Sequence, residues 1–463
     1  MNHYDIVVIG AGAGGITAAV NGVGLGKKVL LVERSKAGGE CTWSGCVPSK
    51  ALINEARAAY TLRQRVPNYV YDTHRALEHA RTVREEVYRH EDPETLEKMG
   101  IVWMQGEASF IARRRLKIGD TEVSAGKIII STGSAPFIPP IPGLNEVDYL
   151  SNETIFELER FPESIIVLGG GAIGIELAQA MNRMGVKVKL IEMMPSILFR
   201  EEMDMVHPLQ EKICAEGVEL YLGAKAAKVE QSSAGIKLTY ERDGKTDSIK
   251  AQAILAAVGR KPNVEALNLE AGGIRYERRG IIVNRKMQTS AAGVYALGDV
   301  TGPYQFSHMA NFQAITAALN AVLPINMSVN YDHVAWVTFT EPELARAGFT
   351  EAEARERYGD KIRVYNFDMN NLDRTRTKGP SIERVKLILN SSAKVIGASI
   401  LADRAGEMIS ELQVIKTLGV RYGKLSGIIH PYPCYAEVFQ KLGKTVKVDS
   451  LLNHPIVKLF RRS

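Results

Sequence analysis

Two stretches of this chain follow one plan. DIVVIGAGAGGITAAVNGVGLGKKVLLVE and SIIVLGGGAIGIELAQAMNRMGVKVKLIE each run from an apolar strand into a GxGxxG turn, through a helix, and along a second apolar strand to a glutamate. The glycines are Gly10, Gly12 and Gly15 in one copy and Gly169, Gly171 and Gly174 in the other; the acids are Glu33 and Glu192. From first glycine to acid is 23 residues in both (10 to 33, 169 to 192). Glycines at these places permit a tight turn, close approach of a pyrophosphate and close packing of helix on strand, and the acid accepts a hydrogen bond from an adenosine ribose. Equal spacing in two copies predicts an α/β protein with two Rossmann-like dinucleotide-binding domains. Glu192 welcomes a ribose hydroxyl and repels a phosphate, and no arginine follows at once, so NADH is favoured over NADPH.

Just after the first unit, GGECTWSGCVPSKALI (38–53) sets Cys41 and Cys46 four residues apart. Two thiols this close can form a small ring. Good helix formers follow Pro48, which places Cys46 in the first turn of a helix, where backbone N–H groups and the helix dipole favour a thiolate. The pair reads as a redox dithiol. A zinc site would want a second Cys or His pair at short spacing, and the other cysteines, Cys214 and Cys434, stand alone. No metal is therefore expected, and Cys214 reads as a packing residue. A structural disulfide needs an oxidising compartment, whereas the apolar run 6–9 is too short for a secretory core and nothing approaches the ~18 apolar residues of a membrane span. A cytoplasmic location is the expectation. Lys plus Arg exceed Asp plus Glu by 58 minus 52. That excess is spread without a long basic block, which suits anionic dinucleotides better than a nucleic acid; the ending KLFRRS reads as a solvated tail.

Helices are predicted over 49–65 and 73–99. An apolar strand, 127–130, then leads into the turn Ser131, Thr132, Gly133, and the proline-rich piece 136–142 reads as a domain crossing. AILAAVGRKPN closes the second domain with a strand and a basic turn at Gly259; GVYALGDVTG ends a further strand in Gly298 and Asp299, an acid placed to bond a cofactor's sugar hydroxyls, though a turn-forming Asp would look the same locally. Thr132, Gly133, Gly259 and Gly298 complete the candidate cofactor residues. Beyond Asn330, β-rich pieces at 333–340, 361–369, 384–389 and 394–401, with helices from about 406 and 435, predict a separate α+β domain.

The two nucleotide folds, CxxxxC followed by VPSK, the STG and GD segments, and FTEPELARAGFTEAEA together resemble the FAD-dependent pyridine nucleotide disulfide oxidoreductases. That family includes dihydrolipoamide dehydrogenase, glutathione reductase and mercuric reductase. The resemblance covers essentially the whole chain. It implies an FAD domain from 1–145 and 266–332, an NAD(P) domain at 146–265 and a dimerisation domain at 333–463, giving a homodimer. Gly10, Gly12, Gly15 and Glu33 would hold the FAD adenosine half and Asp299 the ribityl chain. Lys50 would lie beside the flavin and pair with Glu176. Cys46 would face the flavin and Cys41 exchange with substrate, a small disulfide or thiol-reactive molecule.

The family's disulfide-using members carry a His, a Pro and then a Glu as the base for thiol exchange. Here the stretch is His430, Pro431, Tyr432, Pro433, Cys434, Tyr435, Ala436, Glu437. Anchored on Pro433 and Glu437, Tyr432 fills the His position, and a phenol with an ordinary pKa of ~10 is a poor base at neutral pH. Mercuric reductases resemble the chain in having Tyr there, but they relay metal through a C-terminal cysteine pair that NHPIVKLFRRS lacks. His430 could compensate, since in an extended segment it shares a face with Tyr432, but a surface or structural histidine is the favoured reading. Cys434 could act as a third thiol near the partner subunit's disulfide, or be a small core residue. The X-Pro bond before Pro433 could be cis. The acceptor stays open among small disulfides, dihydrolipoamide in reverse, and soft metal ions. A flavoprotein whose redox state controls partner binding is the rival of another class.

Overall fold

The computed structural model describes residues 2–67, 69–232, 235–453 and 457; the basic ending, residues 458–463, therefore lies outside the described residues. The chain forms two compact units, residues 1–193 with 224–330 and residues 194–223 with 331–463.

In the first unit, β1 (Asn2–Ile9), α1 (Ala13–Gly24) and β2 (Val29–Glu33) make the first βαβ unit. Next come the short α2 (Gly39–Trp43), α3 (Cys46–Arg65), α4 (Thr73–Tyr88) and α5 (Pro93–Lys98). The sheet is continued by β3 (Val102–Gln105), β4 (Ala108–Ala112), β5 (Arg115–Ile118) and β6 (Thr121–Ile130). β1 lies between β2 and β6 and runs parallel to both, and Val294–Ala296 pairs parallel with β6. Val7, Val8, Leu30, Leu31, Ile128 and Ile129 have no exposed surface. Burial on both faces is why these strands are continuous apolar runs without polar alternation.

The second βαβ unit repeats the geometry. After β7 (Ser134–Pro136), the strands β8 (Ser164–Leu168) and β9 (Lys187–Glu192) pair in parallel around α6 (Ala172–Arg183), and β8 also pairs with Ala253–Ala256. Every residue of α6 from Gly174 to Arg183 is buried.

The helix expected over 73–99 is two helices. It stops at Tyr88, and Asp92 then caps α5 by accepting the N–H of Thr95 at 2.7 Å, with Pro93 in its first turn. Proline suits a first helical position and not an interior, so the alternating charges were a poor guide to continuity here. α3 begins at Cys46, ahead of the expected residue 49.

In the second unit an antiparallel sheet runs in the order Ala335–Thr338, Glu343–Gly348, Val395–Ala402, Arg384–Leu389, Arg363–Asp368. The first strand is shorter than the expected 333–340, because Tyr331–His333 forms a 3-10 turn. Leu387, Ile400, Leu412, Tyr422 and Phe439 belong to its core, Leu412 supplied by the helix Ala405–Thr417 and Phe439 by the helix Glu437–Leu452. Residues 194–223 belong here too. Their helix, Met203–Glu216, is preceded by Glu202, which with Asp204 and Glu351 surrounds the buried ammonium of Lys386 at 2.7 to 3.2 Å. No helix among the described residues is long and apolar enough to cross a membrane.

Candidate active site

Gly38 and Gly39 take positive φ values of 92° and 59°, which turns the chain from β2 into α2. A Cβ on Gly39 would lie 2.6 Å from the Cα of Gly12, so the dithiol segment packs directly on the first glycine turn. Cys41 sits in α2, and Cys46 is the first residue of the 20-residue α3. Neither is in a disulfide here, and Cys46 is exposed. The Cys41 thiol donates a hydrogen bond to Cys46, which together with burial holds Cys41 protonated, its pKa pushed upward. The same bond is the largest influence lowering Cys46 to about 6, against burial; the charge of Lys50 and the hydroxyl of Ser307 add to it. Ser307 Oγ lies 3.7 Å from Cys46 Sγ, at the start of the helix Ser307–Val322. Lys50, one turn beyond Cys46 on α3, bonds Glu176 of α6 at 2.8 Å. The dithiol is thus polarised into one thiol and one thiolate.

The glycine turns show two matching anion seats. In the first, the Ala11 N–H donates to Glu33 Oε2 at 2.8 Å; in the second, the Gly170 N–H donates to Glu192 Oε2 at 2.7 Å. Each acid is held at the strand end beside its turn. Gly12 and Gly171 precede α1 and α6 in extended conformation without a side-chain cap. A Cβ on Gly171 would meet nothing within 4 Å, and one on Gly12 only Gly39 at 3.8 Å, whereas on Gly15 or Gly174 it would strike a carbonyl at 1.8 or 2.0 Å. There is open room before two helix N-termini whose first N–H groups need acceptors, and none behind them. The residues fit two dinucleotide pyrophosphates. Thr132 and Asn263 exchange side-chain and backbone bonds at 2.8 and 2.9 Å, and the Gly133 carbonyl accepts the Asn263 N–H at 3.0 Å. The Gly259 carbonyl accepts the Phe137 N–H at 2.9 Å, bracing the crossing segment. The Gly298 N–H bonds Gln313 Oε1 at 2.7 Å, and Asp299 follows in the 3-10 turn Gly298–Thr301, just past the strand Val294–Ala296 and not at its end.

The pyridine nucleotide-disulphide oxidoreductase family matches residues 4–321, and its dimerisation domain matches residues 334–442. This chain belongs to that family. Its members use FAD and a pyridine nucleotide. The oxidoreductase is 33% identical to a dihydrolipoyl dehydrogenase of Thermus scotoductus over 94% of this chain and 96% of that one. It is 30% identical to a mercuric reductase of Bacillus cereus over 94% of this chain and 70% of that one. Among solved structures it resembles the HOCl-induced flavoprotein disulfide reductase RclA from Escherichia coli, with a TM-score of 0.85, 28% identity, and coverage of 95% of this chain and 99% of that one. A Cu(II) complex of that reductase matches as well, at 28% identity over 94% of this chain and 98% of that one, with a TM-score of 0.84.

In the second unit of the oxidoreductase the peptide between Tyr432 and Pro433 is cis. Tyr432 is 70% exposed, and its hydroxyl donates to Asp373 Oδ2 at 3.0 Å, which pushes its pKa above the ordinary phenol value. His430 does not share a face with it. The chain bends at Tyr432, and the His430 ring is buried with Nε2 3.0 Å from Glu411 Oε1. Cys434 is half-buried and lines a cleft of about 330 Å³ with Arg374, Arg404, Glu407, Glu411 and Tyr435. Glu437 opens the last long helix and lies 3.3 Å from Lys441. Cys214 is exposed on its helix and is not the packing residue its apolar neighbours suggested. Among the described residues no group of three His, Cys, Asp or Glu side chains could hold a metal ion.

Three residues at the site escaped the sequence reading. Ser307 follows the GD segment without a motif of its own, Arg260 is legible only as part of a basic turn, and Glu40 carries no signal beyond its place before Cys41.

Proposed function

We propose that this enzyme draws reducing equivalents from NADH, through FAD, to the Cys41–Cys46 disulfide and on to a small disulfide or thiol-reactive acceptor. The observation that carries this reading is the polarised dithiol, a Cys46 held near the thiolate form beside a protonated Cys41. FAD, when bound, supplies the conversion of a nicotinamide hydride into an electron pair for the disulfide. The residues of the chain do the rest. Two electrons and one proton break the S–S bond, leaving Cys46 as thiolate and Cys41 as thiol; Lys50 and Ser307 favour the negative sulfur, and Glu176 fixes Lys50. Cys41, on giving up its proton, attacks one sulfur of the acceptor disulfide, releasing a thiol and forming a mixed disulfide. Cys46 then attacks Cys41, releases the second sulfur as a thiolate that takes its proton from solvent, and restores the internal disulfide, so electrons, protons and sulfur balance over the cycle.

NADH is favoured because a carboxylate at Glu192, ending β9, welcomes a ribose hydroxyl and repels a 2′-phosphate. Tyr432, tied to Asp373 and a still weaker base for it, argues against dihydrolipoamide as the physiological partner. Soft metal ions remain the second reading, supported by the mercuric reductases and the Cu(II)-bound reductase among the relatives. A homodimer and a reducing cytoplasm suit this chemistry.

The test is an anaerobic NADH titration of wild type and Cys46→Ser, followed at long wavelength. A thiolate-to-flavin charge-transfer band in the first and not the second supports the reading, and turnover with lipoamide, other disulfides and mercuric ion then selects the acceptor. Identical bleaching in both puts the dithiol off the electron path.

A further inference from the structure

Glu40 stands directly before Cys41, yet its carboxylate bonds away from the thiols. The Arg260 guanidinium grips both its oxygens, and Asn152 Nδ2 donates to Oε1 at 2.7 Å and to the Ser44 carbonyl at 3.3 Å. Arg260 does not stop there. Its Nε donates to Ser134 Oγ at 2.8 Å and its Nη2 to the Ser134 carbonyl at 3.0 Å, and Nε lies 3.5 Å from Asp299 Oδ2. The Ser134 hydroxyl in turn donates to Asp299 at 2.6 Å. One guanidinium, its side chain only 10% exposed, therefore joins the dithiol segment, β7, the turn that closes the second nucleotide domain, and Asp299, the acid that the family resemblance assigns to the cofactor's sugar chain.

The chemistry of sharing decides what this joint does. Arg260 has two acids in reach, Glu40 in a two-pronged bond and Asp299 at longer range. Burial pushes the Glu40 pKa up to about 7 against the pull of the guanidinium, so its charge is fully present only above neutral pH. Removing the nearer charge leaves Asp299 as its one carboxylate partner in the cluster. In so enclosed a place, the attraction would draw Asp299 into the pair and away from sugar hydroxyls. Glu40 also loses its anchor to β7 if Arg260 is lost, and α2, which carries Cys41, then hangs on Asn152 alone from that side.

Building on the disulfide-reductase reading, we infer that Glu40 and Arg260 are positioning residues that couple cofactor retention to the geometry of the dithiol. Glu40 occupies Arg260 so that Asp299 stays available to the cofactor, and the same bond holds Cys41 in place against Cys46. Asn152 serves the dithiol side of the joint only.

The experiment uses the FAD-loaded protein and two readouts that do not depend on turnover. One is FAD affinity, from flavin fluorescence on dilution. The other is the pH midpoint of the charge-transfer band after reduction by dithiothreitol. Glu40→Gln and Arg260→Lys, which lose the charge and the fork respectively, should each weaken FAD binding about tenfold, the scale of a lost bond to a charged group, and raise the midpoint. Glu40→Asp should restore both in part. Asn152→Ala should move the midpoint and leave FAD affinity alone. In Glu40→Gln/Arg260→Lys the losses should fall short of the sum, as residues in one network do. Folded Glu40→Gln with wild-type values of both readouts overturns the inference, as do strictly additive losses; should Glu40→Gln not fold, Asn152→Ala and Arg260→Lys decide by the same criteria. A wild-type protein with no charge-transfer band removes the disulfide-reductase reading instead, and FAD affinity still judges the Asp299 side.

Discussion

At the scale of single residues, the thiolate of Cys46 rests on contributions from distant parts of the chain. Lys50 comes from its own helix, Cys41 from the preceding one, and Ser307 from 261 positions away. Because the Cys46 pKa lies below the ordinary thiol value, at about 6, the thiolate is present above that pH and is lost as pH falls through it. Lys50→Met should therefore move the midpoint upward by about one unit, the effect of losing a nearby opposite charge at a partly exposed site. Ser307→Ala should move it the same way by less. The rate of alkylation of the reduced protein by iodoacetamide, followed against pH in a Cys41→Ser background and compared with that background alone, measures both shifts; an unmoved midpoint in Lys50→Met would mean that its charge is spent on Glu176. The cysteines, Lys50 and Glu176 were legible in the sequence, the last two only through the family's VPSK and GAIGIE patterns. Ser307 was not, because a serine opening a helix is ordinary capping chemistry and only the fold reveals what it faces. Arg260 and Glu40 were hidden for a related reason. An ion pair across 220 positions leaves no local signature.

At the scale of elements, periodicity located the buried parallel strands and most helices, since strands buried on both faces read as apolar runs wherever they occur. The antiparallel strands at 108–118 and 225–251, with alternating exposed residues, carried no such run and were missed. Periodicity also failed at the junction of α4 and α5, where a charged surface carried no break and the meaning lay in one Asp-Pro pair. The Lys386 cluster shows what patterning cannot convey at all. An apolar strand, RVKLIL, places a lysine with 6% exposure among Glu202, Asp204 and Glu351. That ammonium ties the excursion 194–223 to the sheet of its unit. Lys386→Met should destabilise the unit by about 3 kcal/mol, because Glu202, itself only 8% exposed, is left without this partner. A thermal midpoint lowered by several degrees is the expected readout, with Lys386→Met/Glu202→Gln recovering part of the loss. A midpoint unchanged in the single variant would show that solvent or another cation compensates the carboxylates.

At the scale of the whole molecule, the family's dimerisation domain supports a homodimer, and an apolar surface in the second unit marks where a copy would sit. Ile429 is 91% exposed, Leu418 72%, Val414 58% and Ile428 49%. They belong together. Val414 and Leu418 follow Glu411 along one helix face, and the bond from His430 to Glu411 lays residues 428–430 beside that face. A second copy of this chain would cover side chains that water otherwise meets at a cost. Ile429→Glu puts a charge in the middle of the patch without touching the dithiol or either glycine turn. Sedimentation should show a monomer where wild type is a dimer, with NADH still bleaching the flavin. If Tyr432, Cys434 and Glu437 act on the disulfide of the partner subunit, as the resemblance to the family implies, turnover with the acceptor should fall by an order of magnitude or more while flavin reduction persists. A variant that remains dimeric would move the interface elsewhere on the unit. A monomer with full turnover would show instead that one subunit completes the electron path, leaving Tyr432 and Cys434 no part in it across the interface.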